Sequence, residues 1–172
     1  NVYDMYFCPC HEDPNNKGNL EEHKKSLKIL GVKEIVYAGT MPRNGYLENH
    51  KQECRDILHR MNTIYKPDLI FCPSNNDYHQ DHSIVSECCQ TIFRNTSTIL
   101  GYEVFRSVKP LFSPNVFVGL DIEDFNNKIK ALEVWKSQIG YRYGFEIENF
   151  MTVMNYYGLQ IKVKYAEAFE MM

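Results

Sequence analysis

The run Asp68-Leu69-Ile70-Phe71-Cys72-Pro73, with Asn76-Asp77-Tyr78-His79-Gln80-Asp81-His82 close behind it, decides how this chain folds. A nearly continuous apolar run of this length is what a central strand of a parallel sheet presents, because both of its faces are covered. The polar heptapeptide falls where that strand stops and a helix begins. In open α/β sheets, ligands bind outside the carboxyl ends of the strands. Two imidazoles three residues apart, with carboxylates at Asp77 and Asp81, therefore stand where chemistry is expected.

Imidazole ligates divalent transition metals and relays protons near neutral pH. At a helix start, His79 and His82 form an i, i+3 pair and share one side. One can ligate a metal while the other polarises a carbonyl or protonates a leaving group. Asp81 is placed to accept the outer N–H of a ligating imidazole and so fix its tautomer, and Asp77 to do similar work across the loop. The competing reading is a solvated helix cap, since aspartate is a favoured cap residue.

Outward from this segment, strand-like and helix-like stretches alternate. Val2–Phe7 reads as a strand and Cys8–Gly18 as a polar loop. Asn19–Leu30 is predicted helical, with Leu20, Leu27 and Leu30 in one stripe and Gly31 as its C-terminal stop. Glu34–Ala38 is a short strand, Gly39–Gly45 a loop, and Tyr46–Tyr65 a second amphipathic helix. After the motif, a helix is expected over about Asp81–Arg94, strands at Gly101–Phe105 and Val116–Asp121, and helices at Ile122–Ile139 and Glu146–Tyr157. The alternation of Ile161, Val163 and Tyr165 with Lys162 and Lys164 fits an edge strand ending at Phe169. Strands alternating with helices imply βαβ units, so the expected fold is α/β, a three-layer Rossmann-like sandwich with a mostly parallel sheet. The 172 residues suit a single domain.

Composition narrows the function. A net charge of −3 offers no basic stripe, which argues against nucleic acid and anionic membranes as partners. No apolar run reaches the roughly 20 residues of a membrane span. Of the six cysteines, Cys72 closes the apolar strand and Cys54, Cys88 and Cys89 fall in predicted helices, so they read as small buried hydrophobes in a reducing cytoplasm. No G-x-G-x-x-G follows any predicted strand, which weakens a nucleotide-binding reading.

The stretch KPDLIFCPSNNDYHQDHSIVSECCQTIFRNTSTILGYE (Lys66–Glu103) closely resembles the LmbE-like (PIG-L) deacetylases, zinc hydrolases of N-acetylated sugars. It is most similar to the bacterial branch that carries a D-x-H-Q-D-H signature followed by ILGYE. SLKILGV (Ser26–Val32), KALEVWKSQ (Lys130–Gln138) and YAEAF (Tyr165–Phe169) extend the resemblance over nearly the whole chain.

The resemblance implies that His82 is a zinc ligand, that His79 stabilises the oxyanion or assists departure of the amine, and that Asp81 orients a histidine. It implies substrate-binding places for Arg43, in GTMPRNGY, and for Asp77. The substrate would be a small N-acetylated sugar or conjugate. Self-association is left open.

Two departures matter. Where the family often has an arginine three residues before the helix glutamate, here Glu22, this chain has Asn19. The family's A-H-P-D-D-E motif, which supplies the other zinc ligands and the general base, appears nowhere in the chain. Asn1–Phe7 matches the family's second strand, which would put that motif upstream of residue 1, and the opening at Asn1 without a methionine agrees with a fragment. The alternatives are a catalytically inactive sugar-binding or scaffold relative, or a site completed by Cys10, His11, Glu12 or Asp13 in the ligand-like string that begins at Cys8.

Overall fold

The computed structural model describes residues 2–6, 17–37, 47–104, 106–107 and 109–172. The elements run β1 (Tyr3–Tyr6), α1 (Lys17–Ile29), β2 (Glu34–Tyr37), a 3-10 turn (Leu47–His50), α2 (Lys51–Tyr65), β3 (Leu69–Pro73), α3 (Gln80–Phe93) and β4 (Thr98–Tyr102). They continue with β5 (Val116–Leu120), α4 (Ile122–Glu133), α5 (Ile147–Gln160) and β6 (Tyr165–Met171). The loops expected at Cys8–Gly18 and Gly39–Gly45 lie largely or wholly outside the described residues, as do Arg43 and the string from Cys8 to Asp13.

The fold is α/β with helices flanking mixed sheets. β1 pairs with β2 in parallel, and a four-stranded sheet has the order β3-β4-β6-β5. β3 and β4 are parallel, from Leu69 opposite Thr98 to Pro73 opposite Tyr102. β4 and β6 are antiparallel, with Gly101 opposite Glu170.

The expectation of a mostly parallel sheet is thus corrected: the four-stranded sheet is mostly antiparallel. A single crossover helix returns the chain for a parallel strand, as α1 and α3 do. Between β5 and β6 the chain passes through two helices and reaches the sheet running the other way. A second correction concerns β6, which lies between β4 and β5 and not at an edge, while β3 occupies one end of the four-strand order.

Chain contacts divide the protein into two compact units, residues 1–40 with 118–167, and residues 41–117 with 168–172. In the first, α1 ends as its sequence dictates. Gly31 takes a left-handed φ of 72°, Val32 N–H reaches Leu27 O at 3.0 Å, and Gly31 N–H reaches Lys28 O at 3.3 Å.

Asp121 caps α4 by accepting from the amides of Glu123 and Asp124, both at 2.8 Å. That helix stops at Glu133, short of the expected Ile139. Beyond it the chain closes tight turns, Trp135 N–H to Leu132 O and Gln138 N–H to Trp135 O, and the Glu22 carboxylate takes the Ser137 amide at 3.0 Å.

The alternation at 161–165 is likewise a turn followed by a strand. Val163 N–H bonds Gly158 O at 3.0 Å, Lys162 sits at φ 61°, and β6 begins only at Tyr165, whose ring stacks on Phe125 with centroids 3.8 Å apart.

The second unit holds a core of Leu47, Cys54, Ile57, Leu58, Phe93, Ile99, Leu100 and Phe169, all buried. α2 packs on α3 and both lie in this unit. Lys66 closes α2 in the left-handed region and Pro67 follows, as expected where a helix cannot continue. Cys54, Cys72, Cys88 and Cys89 are buried free thiols. The hydrogen bond to Cys72 and burial push the Cys89 thiol up, which keeps it protonated and core-like. No helix among the described residues is long and apolar enough to cross a membrane.

Gly158 tests the packing of the first unit. A Cβ built there would stand 2.7 Å from the carbonyl oxygens of both Val163 and Lys164. Gly158→Ala is expected to destabilise by about 1–3 kcal/mol through overpacking, read as a lower urea midpoint. An unchanged midpoint would contradict this packing.

Candidate functional site

Ser74 leaves β3 by donating its amide to Tyr102 O at 2.8 Å, and the next residues fold into a loop that delivers the histidines to the start of α3. Serine, asparagine and aspartate suit such a turn because their short polar side chains bond neighbouring backbone. Asn76 N–H reaches Ser74 Oγ at 3.0 Å, and Asn76 O accepts the Lys109 amide at 2.7 Å. Tyr78 N–H donates to Ser107 O at 2.6 Å. The loop is therefore tied to its own strand and to the segment near 107–109.

Asp77 is the centre of the arrangement. It is 2% exposed, and its two carboxylate oxygens have different tasks. Oδ1 accepts the His79 amide at 2.7 Å, while Oδ2 lies 2.8 Å from Nδ1 of His82. Its own carbonyl accepts Ser83 Oγ at 3.0 Å. An ionised carboxylate only accepts, so Nδ1 of His82 carries a proton, and in the neutral ring Nε2 is the nitrogen with the lone pair. Among the described residues Nε2 has no hydrogen-bond partner, and the side chain is 31% exposed. A metal-ligating imidazole is usually held in this way, with its other nitrogen on a carboxylate.

His79 caps α3 from the extended region, and its carbonyl accepts the Ser83 amide at 3.1 Å. Its ring stacks on that of His82, with centroids 4.5 Å apart and planes 21° from parallel. The i, i+3 reading placed the two rings on one side, and they share it. Nδ1 of His79 is buried and has no hydrogen-bond partner among the described residues. A buried polar atom left unpaired costs about 1–3 kcal/mol, so a further group belongs against this nitrogen.

The two aspartates have separate tasks. Asp77, read both as a partner for a histidine across the loop and as a substrate-binding residue, is the carboxylate that holds His82. Asp81, expected to orient a histidine, is buried and accepts the Leu47 amide on Oδ1 at 3.2 Å, joining the start of α3 to the 3-10 turn that precedes α2. The reason is geometric. One step along a helix turns a side chain by about 100°, so Asp81 cannot share the face of its neighbour His82. Asp77, outside the helix, is free to curl back over that face.

The residues that hold the loop, Ser74, Asn76 and Ser83, were not singled out in the sequence. Their turn-forming chemistry was the available signal. Arg43 lies outside the described residues.

As a metal site the described residues are partial. They supply one prearranged donor, Nε2 of His82, with its carboxylate support. Among them no group of three or more His, Cys, Asp or Glu stands close enough to hold a metal ion. Structural and catalytic zinc sites use at least three protein ligands. The chemistry of this donor fits a divalent transition metal as one ligand of several.

The family model for GlcNAc-PI de-N-acetylase (PIG-L) matches residues 12–93, which include the whole heptapeptide. An Escherichia coli K12 protein called "Uncharacterized deacetylase YaiS" is 28% identical over 125 residues, covering 68% of this chain. The chain spans 64% of the length of that relative.

Among solved structures, the N,N'-diacetylchitobiose deacetylase of Pyrococcus horikoshii, complexed with its inhibitor MPG, is similar at a TM-score of 0.73 and 22% identity. That match covers 99% of this chain and 72% of that one. The A40926 pseudoaglycone deacetylase Dbv21 is similar at a TM-score of 0.74 and 14% identity, over 99% and 85% of the two chains. The conserved protein TT1542 of Thermus thermophilus gives 0.73 and 16%, over 97% and 79%. At these identities the solved structures establish the fold.

Members of the matched family are typically metal-dependent. With the motif inside the matched segment and the fold in common, this chain is similar to the PIG-L (LmbE-like) deacetylases over that segment.

Proposed function

We propose that the protein is a zinc-dependent deacetylase that hydrolyses the N-acetyl group of an amino sugar or sugar conjugate. The observation that carries this reading is the Asp77–His82 pair, a buried carboxylate on Nδ1 that leaves Nε2 open beside a second imidazole. The match to the PIG-L family model over residues 12–93 and the deacetylases among the similar proteins support it.

In this reading His82 Nε2 is one ligand of the metal, and the remaining ligands come from outside the described residues. When bound, the metal supplies Lewis acidity and a water of lowered pKa.

The chain's own residues supply placement and proton handling. Asp77 fixes the tautomer and direction of His82. His79, locked by the cap and by stacking, offers a ring N–H to the oxygen that gains charge as the amide carbonyl is attacked, or passes its proton to the departing amine. Asp81 sets the start of α3 through Leu47. Arg43 is proposed to bind the sugar. The four buried free thiols suit a cytoplasmic setting.

Three variants of the full protein test the reading against metal content and turnover of N,N'-diacetylchitobiose. His82→Ala is expected to abolish stoichiometric zinc and to cost about 1–3 kcal/mol of stability, because it strands the buried Asp77 oxygen. His79→Ala keeps the zinc and loses turnover by about 10²- to 10⁴-fold, the usual worth of a positioned acid–base group. Asp77→Asn weakens zinc binding by roughly 10- to 100-fold. Unchanged metal content in the His82 variant would refute the ligand assignment. A full protein that binds sugar and never zinc would instead support the non-catalytic relative.

A further inference from the structure

Glu170 lies near the end of β6, beyond the YAEAF stretch, and its carboxylate meets both the loop that carries the histidines and the segment that precedes β5. Oε2 accepts Ser74 Oγ at 2.5 Å. Oε1 accepts both the Ser113 amide at 2.7 Å and Asn76 Nδ2 at 3.3 Å. Ser74 is 1% exposed and uses the same hydroxyl to receive the Asn76 amide at 3.0 Å. Asn76 Nδ2 also reaches Leu111 O at 3.3 Å. No Lys or Arg among the described residues forms an ion pair with Glu170, so the carboxylate works as an acceptor for neutral donors.

What these donors have in common is their place. Ser74 is where the chain leaves β3, and Ser113 stands on the strap that returns past Lys109, whose amide holds Asn76 O. Asn76 is the residue immediately before Asp77. A rotation of the Asn76 peptide would move the Asp77 carboxylate, and with it the 2.8 Å bond to His82 Nδ1. A charged acceptor makes hydrogen bonds roughly twice as strong as a neutral one, and three converge on this group.

We infer that Glu170 is a positioning residue for the histidine site: it clamps Ser74, Asn76 and Ser113 so that Asp77 meets His82 in one geometry. The kinetic consequence rests on the hydrolase reading above. The geometric one does not.

The test uses the full zinc-loaded protein and two readouts, the Nδ1–H proton resonance of His82 and the kinetics of N,N'-diacetylchitobiose deacetylation. Glu170→Ala is expected to broaden or shift that resonance and to lower kcat by about tenfold or more, as displaced supports of reacting groups do, while KM stays within about twofold. Glu170→Gln should recover most of both, because its oxygen can receive Ser113 and Asn76 while its amide donates to Ser74 Oγ. Lys128→Ala, which removes an ion pair with Glu167, should move neither readout.

A Glu170→Ala protein with the His82 resonance and kcat intact would overturn the inference, whatever happens to its melting temperature. Should that variant fail to fold, Asn76→Ala cuts the same clamp and is judged in the same way. If the wild type does not deacetylate this sugar, the hydrolase reading fails for it, and the resonance alone decides the role of Glu170.

Discussion

The buried carboxylate of Asp77 is the constraint on which the candidate site depends. With one oxygen on the His79 amide and the other on His82 Nδ1, it sets the start of α3 and the direction of the His82 ring at once. A hydrogen bond to a charged group contributes about 1.5–3 kcal/mol. The helix dipole at the same terminus contributes about 0.3–1 kcal/mol for an exposed charge. The bond, not the dipole, therefore fixes His82. Because Asp77 is buried, losing either partner exposes the cost of an unpaired acceptor, so the geometry is held from both sides.

Around that carboxylate the fold supplies anchors of three kinds. Strand pairing between β3 and β4 carries the chain to Ser74, whose amide completes the ladder on Tyr102. Backbone bonds from Tyr78 and Lys109 tie the loop to the segment that follows β4. Asp81 fastens the first turn of α3 to Leu47, a fully buried residue of the same unit's core. His79 and His82 thus stand at the start of a helix, while many of the residues that hold them lie in loops and at the end of a distant strand.

Much of this was legible in the chain. The apolar run ending at Pro73 and the polar heptapeptide located the loop, and the i, i+3 spacing placed the two rings on one side. What escaped were relations between residues that sequence does not juxtapose. Asp77 was readable as a partner across the loop, yet nothing local says that its carboxylate is shared between the His82 ring and the His79 amide, or that Asp81 accepts the Leu47 amide. Glu170 lies 94 residues from Asn76 and belongs to no pattern. The alternation at 161–165 imitated a strand, but the chain there is a turn held on Gly158, in which Val163 is exposed along with Lys162 and Lys164. The direction of β6 followed from two intervening helices, α4 and α5, and the first of them was read too long because the Glu22 carboxylate claims an amide that a longer helix would have used.

The most direct measurement is a crystal structure of the full protein grown with zinc, with the cation located by anomalous scattering. The account predicts the metal on Nε2 of His82 at roughly 2.0–2.1 Å, the usual zinc–imidazole distance, with Nδ1 still on Asp77. A cation bound away from His82, or a His82 ring that presents Nδ1 to the metal and Nε2 to Asp77, would contradict it.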